Sequence, residues 1–393
     1  MIFRPKGTTW PTTSAANPKF SRAETAPLTL AEATYDPRVA WALGLESHTE
    51  PKGATMKKNI SALGVVAVAA LALAGCSSDA KTDTGGDSAG TEASSDKAYV
   101  IGISVQDQHP SLDAAVDGFK AAVEESGLDV TFDEKNAFGD AQMLASIAGT
   151  FKEDGTDLVL AVGTQAAQAC ASAMTDTPIL FTAVTEPADA QLVESWENPG
   201  GNVTGTSDKN PVDEQIELIG EIVPDVKTVG VVYSPGEANS VVQVEWVKDA
   251  ADKMGIEIVE SPATAATEVQ QAAQSLASSG VDAIYVPTDN TVVASLETVL
   301  QVGEDNKIPV FGAEGDSVAR GAVATYGLDY YQLGYETGLM AVQILRDGAE
   351  PGDLPVATVS DPALYLNLGA SERMGIAIPA ELVEQADPEN VTN

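Results

Sequence analysis

Two short apolar runs that end abruptly in polar residues constrain the fold of this chain more than any other feature. Val281–Asn290 reads Val-Asp-Ala-Ile-Tyr-Val-Pro-Thr-Asp-Asn, and Asp157–Gln165 has the same shape, with Thr164 in the place of Thr288. Buried strands of parallel sheets follow this pattern. Ligands of open α/β sheets bind beyond the carboxyl ends of such strands. We therefore expect the two strand ends to face each other across a cleft.

The sequence around these runs alternates between strand and helix patterns, and the order restarts at Val226. Predicted strands such as Tyr99–Val105 and Thr228–Tyr233 precede segments with helical spacing of apolar residues, which indicates a parallel sheet covered by helices on both faces. The two halves also share local sequence similarity, since Gly155-Thr-Asp-Leu-Val-Leu is matched by Gly280-Val-Asp-Ala-Ile-Tyr. A chance match of two alternating patterns is the alternative. Repeated order at this scale favours two similar lobes with a ligand cleft between them.

The two lobes are predicted to divide the chain into four pieces. Residues 98–206 and 324–350 are assigned to lobe 1, and residues 207–323 and 351–393 to lobe 2. The segments Asn198–Pro211 and Ala322–Gly327 are rich in turn residues and are therefore the predicted hinges.

The segment from Met56 to Cys76 has the pattern of a secretory signal. Two lysines precede a short apolar run, Ile60–Ala74, and small residues lead to Cys76. The ending Leu-Ala-Gly-Cys resembles the bacterial lipobox, in which the cysteine becomes the lipid-modified first residue. An ordinary buried cysteine after a signal anchor is the alternative. We predict a lipoprotein signal peptide over residues 56–75 and lipidation at Cys76.

The segments that flank this signal are not expected to fold. Residues 1–55 contain scattered proline and threonine without sustained periodicity, so Met56 is interpreted as the true start and residues 1–55 as an upstream mis-start or an unstructured segment. Residues 76–97 are rich in Ser, Gly, Asp, Thr and Ala, a composition typical of a flexible tether. This arrangement predicts a protein anchored by lipid to the outer face of the bacterial cell membrane, which it does not span.

Charge and cysteine content exclude several functions. The formal net charge of −37, from 21 basic and 58 acidic residues, repels nucleic acid and anionic lipid surfaces. The two cysteines cannot form a disulfide framework, and with only two histidines a zinc site is not expected. Cys170 lies on the apolar face of a predicted helix and is assigned to the core. No metal and no cofactor are predicted.

Catalytic motifs are also missing from the sequence. It contains neither a Gly-x-Ser-x-Gly elbow nor a phosphate-cradling Gly-rich loop, and His109 is the only histidine that follows the signal segment. A hydrolase that uses His109 is the alternative from a different class, but nucleophilic catalysis needs a nucleophile beside that base. We predict that the protein is not an enzyme, and that His109 is either a ligand contact or a turn residue.

Polar residues cluster where the predicted strands end, and they suit a small zwitterion. A helix N-terminus offers free N–H groups to a carboxylate, and aspartates offer charge-assisted acceptors to an ammonium. Each of these residues has a second interpretation as a helix cap or a hinge hydrogen bond. The candidate ligand-binding residues are His109, Thr164, Gln165, Thr185, Ser207, Asn239, Ser240, Thr288, Asp289, Asn290, Glu314, Asp316, Asp329 and Tyr330.

Several motifs, in order, resemble the ABC transporter substrate-binding proteins of the family that includes the tryptophan and tyrosine binders. The resemblance covers residues 100–378. It is carried by His109-Pro-Ser-Leu-Asp113, Asn136-Ala-Phe-Gly-Asp140, Phe181-Thr-Ala-Val-Thr-Glu-Pro187, Pro199-Gly-Gly-Asn-Val-Thr-Gly-Thr-Ser-Asp208, Glu237-Ala-Asn-Ser-Val-Val-Gln-Val244, Val286-Pro-Thr-Asp-Asn290 and Ala324-Thr-Tyr-Gly-Leu-Asp-Tyr-Tyr331.

The resemblance implies an α/β type I periplasmic-binding-protein fold, in which two Rossmann-like lobes joined by three crossings close on a ligand. It also implies an extracytoplasmic solute-binding receptor that serves an ABC permease and its ATPase. The expected ligand is a small zwitterion, an aromatic amino acid first of all. A receptor for another small polar metabolite, such as a nucleoside or a peptide, is the alternative.

Overall fold

The computed structural model describes residues 97–359 and 362–393. The predicted signal peptide, the lipidated Cys76, nearly all of the tether and the segment 1–55 lie outside the described residues. None of the helices within the described ranges combines the length and the apolar character needed to cross a membrane.

The first half of the chain builds a parallel sheet that is covered on both faces. Its buried strands alternate with helices as the sequence pattern predicts, because a strand that is buried on both sides must be apolar throughout. The elements are β1 (Tyr99–Val105), α1 (Pro110–Glu125), β2 (Val130–Asn136), α2 (Ala141–Asp154), β3 (Leu158–Val162), α3 (Thr164–Ala173), β4 (Ile179–Thr182) and β5 (Val203–Ser207).

The second half repeats this order and then adds a smaller sheet. Its elements are α4 (Val212–Ile222), β6 (Thr228–Tyr233), α5 (Ala238–Met254), β7 (Glu257–Pro262), α6 (Val269–Ser279), β8 (Ala283–Val286), α7 (Asn290–Val293), α8 (Leu296–Asn306), β9 (Val310–Gly312), α9 (Gly315–Arg320) and β10 (Ala324–Gly327). The remaining elements are α10 (Tyr330–Asp347), β11 (Ala357–Thr358), β12 (Ala363–Asn367), α11 (Leu368–Met374), α12 (Ala380–Gln385) and β13 (Val391–Thr392). Single 3-10 turns cover Ala266–Glu268, Pro351–Asp353 and Pro388–Asn390.

The strands form two lobes with a shared topology. In lobe 1 the strand order is β11-β5-β4-β3-β1-β2, and in lobe 2 the corresponding core is β7-β6-β8-β9, all paired in parallel. Lobe 2 also contains the three-stranded sheet β10-β12-β13. The predicted α/β fold of two Rossmann-like lobes is confirmed. Cys170 lies fully buried in the core of lobe 1, where burial raises the pKa of its thiol to about 12.

Helix α10 returns to lobe 1 and packs directly on α1. Glycines make the close approach possible, since a Cβ atom at Gly334 would lie 1.8 Å from the carbonyl oxygen of Ala115, and one at Gly118 would lie 2.0 Å from that of Tyr331. This packing places Tyr330, the first residue of α10, at the edge of lobe 1 that faces lobe 2.

The predicted lobe boundaries differ from the sheets at two places. Residues 324–327 were assigned to lobe 1, but β10 pairs antiparallel with β12 and belongs to the core of lobe 2. Residues 357–358 were assigned to lobe 2, but β11 pairs with β5 in lobe 1. The chain crosses between the lobes at 208–211, at 328–329 and between β11 and β12. The first crossing lies in the predicted hinge Asn198–Pro211, whereas Ala322–Gly327 lies inside lobe 2 and ends just before the second crossing.

Candidate functional site

The carboxyl ends of the two parallel sheets face each other, and the lobes are closed on one another. Five hydrogen bonds join side chains of one lobe directly to the other lobe, which is the closed arrangement of a two-lobed fold. These contacts are Gln106 Nε2 to Glu237 Oε2 at 3.2 Å, His109 Nε2 to Asn290 Oδ1 at 3.3 Å, Ser111 Oγ to Glu314 Oε2 at 2.6 Å, Gln165 Nε2 to the Gly236 carbonyl oxygen at 3.1 Å, and Gln243 Nε2 to Thr185 Oγ1 at 3.4 Å.

His109 is a neutral imidazole buried between the lobes. It precedes Pro110, whose ring suits the first turn of α1, and it is held there in extended conformation. Burial lowers the pKa of His109. The amide of Asn290 donates its own N–H to Glu237, so its oxygen faces the ring and His109 Nε2 carries the proton. Nδ1 is then an acceptor, and it has no partner among the described residues.

The strand end at β3 leaves polar groups free inside the closed cleft. Gly163 has φ +95°, a conformation that glycine adopts without strain, and it turns the chain so that Thr164 begins α3. The Thr164 hydroxyl is buried and has no partner within the described part of the chain. Gln106 Oε1 accepts from the next backbone N–H, that of Gln165, at 2.8 Å. A helix N-terminus with an unused hydroxyl is suited to an anionic group.

The equivalent strand end at β8 is occupied by bonds within lobe 2. Asp289 is fully buried and caps α7, accepting from the backbone N–H groups of Val292 at 2.9 Å and of Ser234. The Ser240 hydroxyl bonds the same carboxyl group, whose pKa burial raises to about 8. Gln243 donates to Thr288 Oγ1 and accepts from the Thr288 backbone N–H. The carboxyl group of Asp289, a predicted ligand contact, therefore caps helix α7.

Two buried carboxyl groups lie at the hinge side of the cleft without a cationic partner among the described residues. Asp208, in the first crossing, accepts from Thr185 Oγ1 and from the Tyr330 hydroxyl, both at 2.8 Å. Glu314 accepts from Ser111 Oγ at 2.6 Å. Burial raises the pKa of Asp208, and it raises that of Glu314 to about 8. A group that carries positive charge is what this pair lacks.

The other predicted residues have varied positions. Ser207 accepts from the Lys209 backbone N–H at 3.1 Å and donates to the Thr185 carbonyl at 2.9 Å, which shapes the hinge. Asn239 donates to the Thr288 carbonyl at 2.8 Å and leaves its own oxygen unpartnered in the described structure. Asp316 is half-buried in the first turn of α9.

Asp329 lies outside the cleft. It is exposed, and its carboxylate accepts from the Gln332 backbone N–H at 3.0 Å as the cap of α10. Its side chain serves as a helix cap, the second interpretation that the sequence offered, and ligand contact by Asp329 stays a prediction.

Sequence analysis left five cleft residues out of the candidate set: Gln106, Ser111, Asp208, Glu237 and Gln243. Ser111, Asp208, Glu237 and Gln243 all lie within the motifs that carry the family resemblance, which was the available signal. Gln106 lies just beyond the end of β1, where ligand groups are expected. Within residues 97–359 and 362–393, no three His, Cys, Asp or Glu side chains are grouped as metal ligands.

Comparison with known proteins defines the class to which this site belongs. The sequence model of the family described as ABC transporter substrate binding protein matches residues 100–390, and the chain belongs to this family. Proteins of this family are extracytoplasmic solute receptors that work with an ABC transporter. The architecture is that of type I periplasmic binding proteins, as predicted.

Two individual relatives have names that specify an amino-acid ligand. A "Tyrosine-binding protein" from Clostridioides difficile (strain R20291) is 41% identical over 299 residues, which cover 75% of this chain and 86% of the relative. An ABC domain from Streptococcus pneumonia, solved in complex with L-Trp, is 36% identical with a TM-score of 0.72, covering 76% of this chain and 100% of that one.

The arrangement of the lobes also agrees better with a ligand-bound relative. The ligand-free, open structure of a substrate binding protein with adhesive properties from Clostridium difficile is 41% identical and covers 75% of this chain and 98% of its own. Its TM-score is 0.57, below the 0.72 of the less identical L-Trp complex. The higher score for the complex is consistent with the closed cleft described above.

Proposed function

We propose that this protein captures an aromatic amino acid, tyrosine or tryptophan, between its lobes and delivers it to an ABC importer. The observation that carries the proposal is the closed cleft, in which the buried carboxyl groups of Asp208 and Glu314 have hydroxyls as their only side-chain donors among the described residues and several neutral polar atoms have no partner there. A zwitterion supplies what both sets lack. The choice of an aromatic amino acid is supported by two relatives, one named tyrosine-binding and one bound to L-Trp.

The ammonium group of the ligand is assigned to Asp208 and Glu314. Each of these carboxyl groups accepts hydrogen bonds from neutral hydroxyls of Thr185, Tyr330 or Ser111. Hydroxyl donors satisfy lone pairs but do not neutralise charge, and an unpaired buried carboxylate is costly. An ammonium between them restores ionisation and gives charge-assisted hydrogen bonds.

The carboxylate group of the ligand is assigned to the start of α3. The free Thr164 hydroxyl is a donor at the positive end of a ten-residue helix, next to the Gln165 N–H group that already donates to Gln106. The acceptors Nδ1 of His109 and Oδ1 of Asn239 remain for donors on the ligand, such as a phenol or an indole N–H.

Isothermal titration calorimetry against the twenty amino acids, a nucleoside and a tripeptide tests the proposal. Tyrosine and tryptophan are expected to bind, and N-acetyl-tyrosine, which has no ammonium, is expected to bind at least a hundredfold more weakly, since a buried charge pair is lost. Binding of the nucleoside or the peptide alone contradicts the amino-acid assignment and favours the alternative receptor. Asp329→Asn, which changes an exposed carboxylate, is expected to leave these affinities unchanged.

We also propose that Cys76 carries a lipid that anchors the receptor to the outer face of the membrane. The support is the lipobox-like Leu73-Ala-Gly-Cys76 sequence and the tether that follows it. Expression in a bacterial host, followed by cell fractionation and mass spectrometry of the N-terminal peptide, tests this. Cys76→Ser is expected to remove the lipid mass, whereas the control Cys170→Ser leaves it in place. An unmodified Cys76 contradicts the proposal.

A further inference from the structure

A lysine in the first crossing lies between two tryptophan side chains outside the ligand cleft. Lys209 Nζ is 4.6 Å from the centroid of the Trp246 ring and 5.7 Å from that of Trp196. Both distances fall within the range of about 6 Å over which a cation is attracted to an aromatic face. Trp196 belongs to the loop between β4 and β5, whereas Trp246 belongs to α5. One ammonium therefore contacts both lobes.

The lobe 1 side of this contact is held firmly in place. The indole Nε1 of Trp196 donates to Glu186 Oε1 at 2.6 Å, and the Trp196 carbonyl accepts from the Val356 backbone N–H at 2.8 Å. The other carboxylate oxygen of Glu186 lies 3.3 Å from Lys209 Nζ. Trp196, Glu186 and Lys209 thus form a triangle on lobe 1, and the ammonium extends from it toward lobe 2.

The lobe 2 side of the contact is open to solvent. A groove of about 370 Å³ beside Lys209 is lined by Trp246 and by the first turn of α4. The lysine is about half exposed, so water screens its charge and the contact is of moderate strength. Such a contact is strong enough to shift a conformational equilibrium without locking it.

We propose that Lys209, Trp196 and Trp246 form a clasp that favours the closed arrangement of the lobes. When the lobes rotate apart, one ammonium cannot stay within reach of both rings, because the Trp196 distance is already near the limit of the interaction. Closure is then favoured by a group that never touches the ligand. Lys209 is a positioning residue: it raises the population of the binding-competent state, and apparent affinity follows that population. The inference rests on the proposed function only for the choice of ligand.

The test compares Lys209→Met, Lys209→Arg and Lys248→Met in the full-length protein. Met keeps most of the aliphatic stem but removes the charge, whereas Arg keeps the charge and the stacking. Lys248 lies on the same helix as Trp246, pairs only with Glu245 and Glu260 in the described structure, and so controls for the loss of one positive charge. Calorimetry with L-tyrosine measures affinity, and small-angle X-ray scattering of the ligand-free protein measures compactness.

Lys209→Met is expected to weaken tyrosine binding about fivefold, because fewer molecules are in the binding-competent state, and to increase the ligand-free radius of gyration. Lys209→Arg is expected to bind within twofold of the unmodified protein, and Lys248→Met to change neither quantity. Equal affinities and equal scattering curves for the two Met variants overturn the clasp, as does failure of the correctly folded Arg variant to restore affinity. If the unmodified protein binds neither tyrosine nor tryptophan, the proposed function fails and the scattering comparison alone decides the clasp.

Discussion

The strand ends at β3 and β8 occupy the same position in two lobes of shared topology, yet they serve different purposes. At β8, Asp289 and Thr288 are bonded to the backbone and to Gln243 within lobe 2. At β3, the Thr164 hydroxyl is buried with no partner among the described residues. The polar side chains at the lobe 2 strand end therefore stabilise the fold, whereas the hydroxyl at the lobe 1 strand end is available to a ligand.

The difference shows how a duplicated fold divides its work. Each lobe must turn from strand to helix at this edge, and polar residues at that turn satisfy the free N–H groups of the helix. In lobe 2 the turn precedes α7, which has only four residues and depends on the Asp289 cap. In lobe 1 the turn precedes the ten-residue α3, and Gln106 from the neighbouring strand end supplies an acceptor. The cap is thus provided from elsewhere, and Thr164 remains free.

The strongest way to break this comparison is to remove each side chain and measure the free energy of unfolding. Asp289→Ala is expected to destabilise the ligand-free protein by about 3 kcal/mol, because two buried backbone N–H groups lose their acceptor. Thr164→Val, which removes a hydroxyl without a partner, is expected to change stability by less than about 0.5 kcal/mol. Urea denaturation measures both, and comparable losses at the two positions contradict the division of roles.

A second comparison concerns affinity and sets Asp208 against Asp289. Asp208→Asn is expected to raise the Kd for tyrosine about a hundredfold, since it removes the charge that faces the ligand ammonium. Asp289→Asn keeps an acceptor oxygen for the α7 cap and is expected to change the Kd less than about threefold. Calorimetry at pH 7 gives both constants. A larger rise in Kd for Asp289→Asn than for Asp208→Asn would indicate that the ligand ammonium binds to lobe 2 instead.

The pH dependence of stability sharpens the comparison further. Burial raises the pKa of Glu314 and of Asp289 to about 8 in the folded protein, above the ordinary values of 4.5 and 3.8. The folded state therefore binds more protons than the unfolded state between these values, so their contribution is complete below about pH 4 and is lost as the pH rises through 8. The ligand-free protein is therefore expected to become less stable as the pH rises from 5 to 8.

Glu314→Gln and Asp289→Asn each remove one of these titrating groups and are expected to flatten part of the slope. Saturating tyrosine is expected to flatten the Glu314 part alone, because its ammonium favours the ionised carboxylate. Thermal unfolding across this pH range measures the slope. Stability that rises from pH 5 to pH 8 contradicts the expectation.

The smallest expected effect is on ligand affinity at the two threonines. Thr164→Val is expected to weaken tyrosine binding about tenfold, the loss of one hydrogen bond to a charged carboxylate. Thr288→Val is expected to act mainly on stability, because it leaves the Gln243 amide without its hydroxyl partner. Calorimetry and urea denaturation of both variants separate these effects. A larger loss of tyrosine affinity in Thr288→Val than in Thr164→Val contradicts the assignment of the ligand carboxylate to the start of α3.

The sequence by itself determined the architecture and the class of this protein. Apolar runs of strand length, each followed by helical spacing, have few solutions other than a parallel sheet with helices on both faces, and the restart at Val226 predicts the second lobe. The motifs between His109 and Tyr331 indicated the family to which the chain belongs. Each of these motifs includes the end of a strand or the start of a helix.

Only the tertiary structure decided which polar residues serve the fold and which remain for a ligand. Asp289, Asp329 and Thr164 all stand at the start of a helix, and the local pattern of a cap is the same as that of a ligand contact. A partner distant in the chain distinguishes two of them, Ser234 for Asp289 and Gln106 for the first turn of α3, whereas Asp329 is distinguished by its exposure to solvent. Likewise, β10 belongs to lobe 2 because it pairs with β12, almost forty residues further along the chain. Such pairings form between residues far apart in the chain, so local periodicity does not encode them.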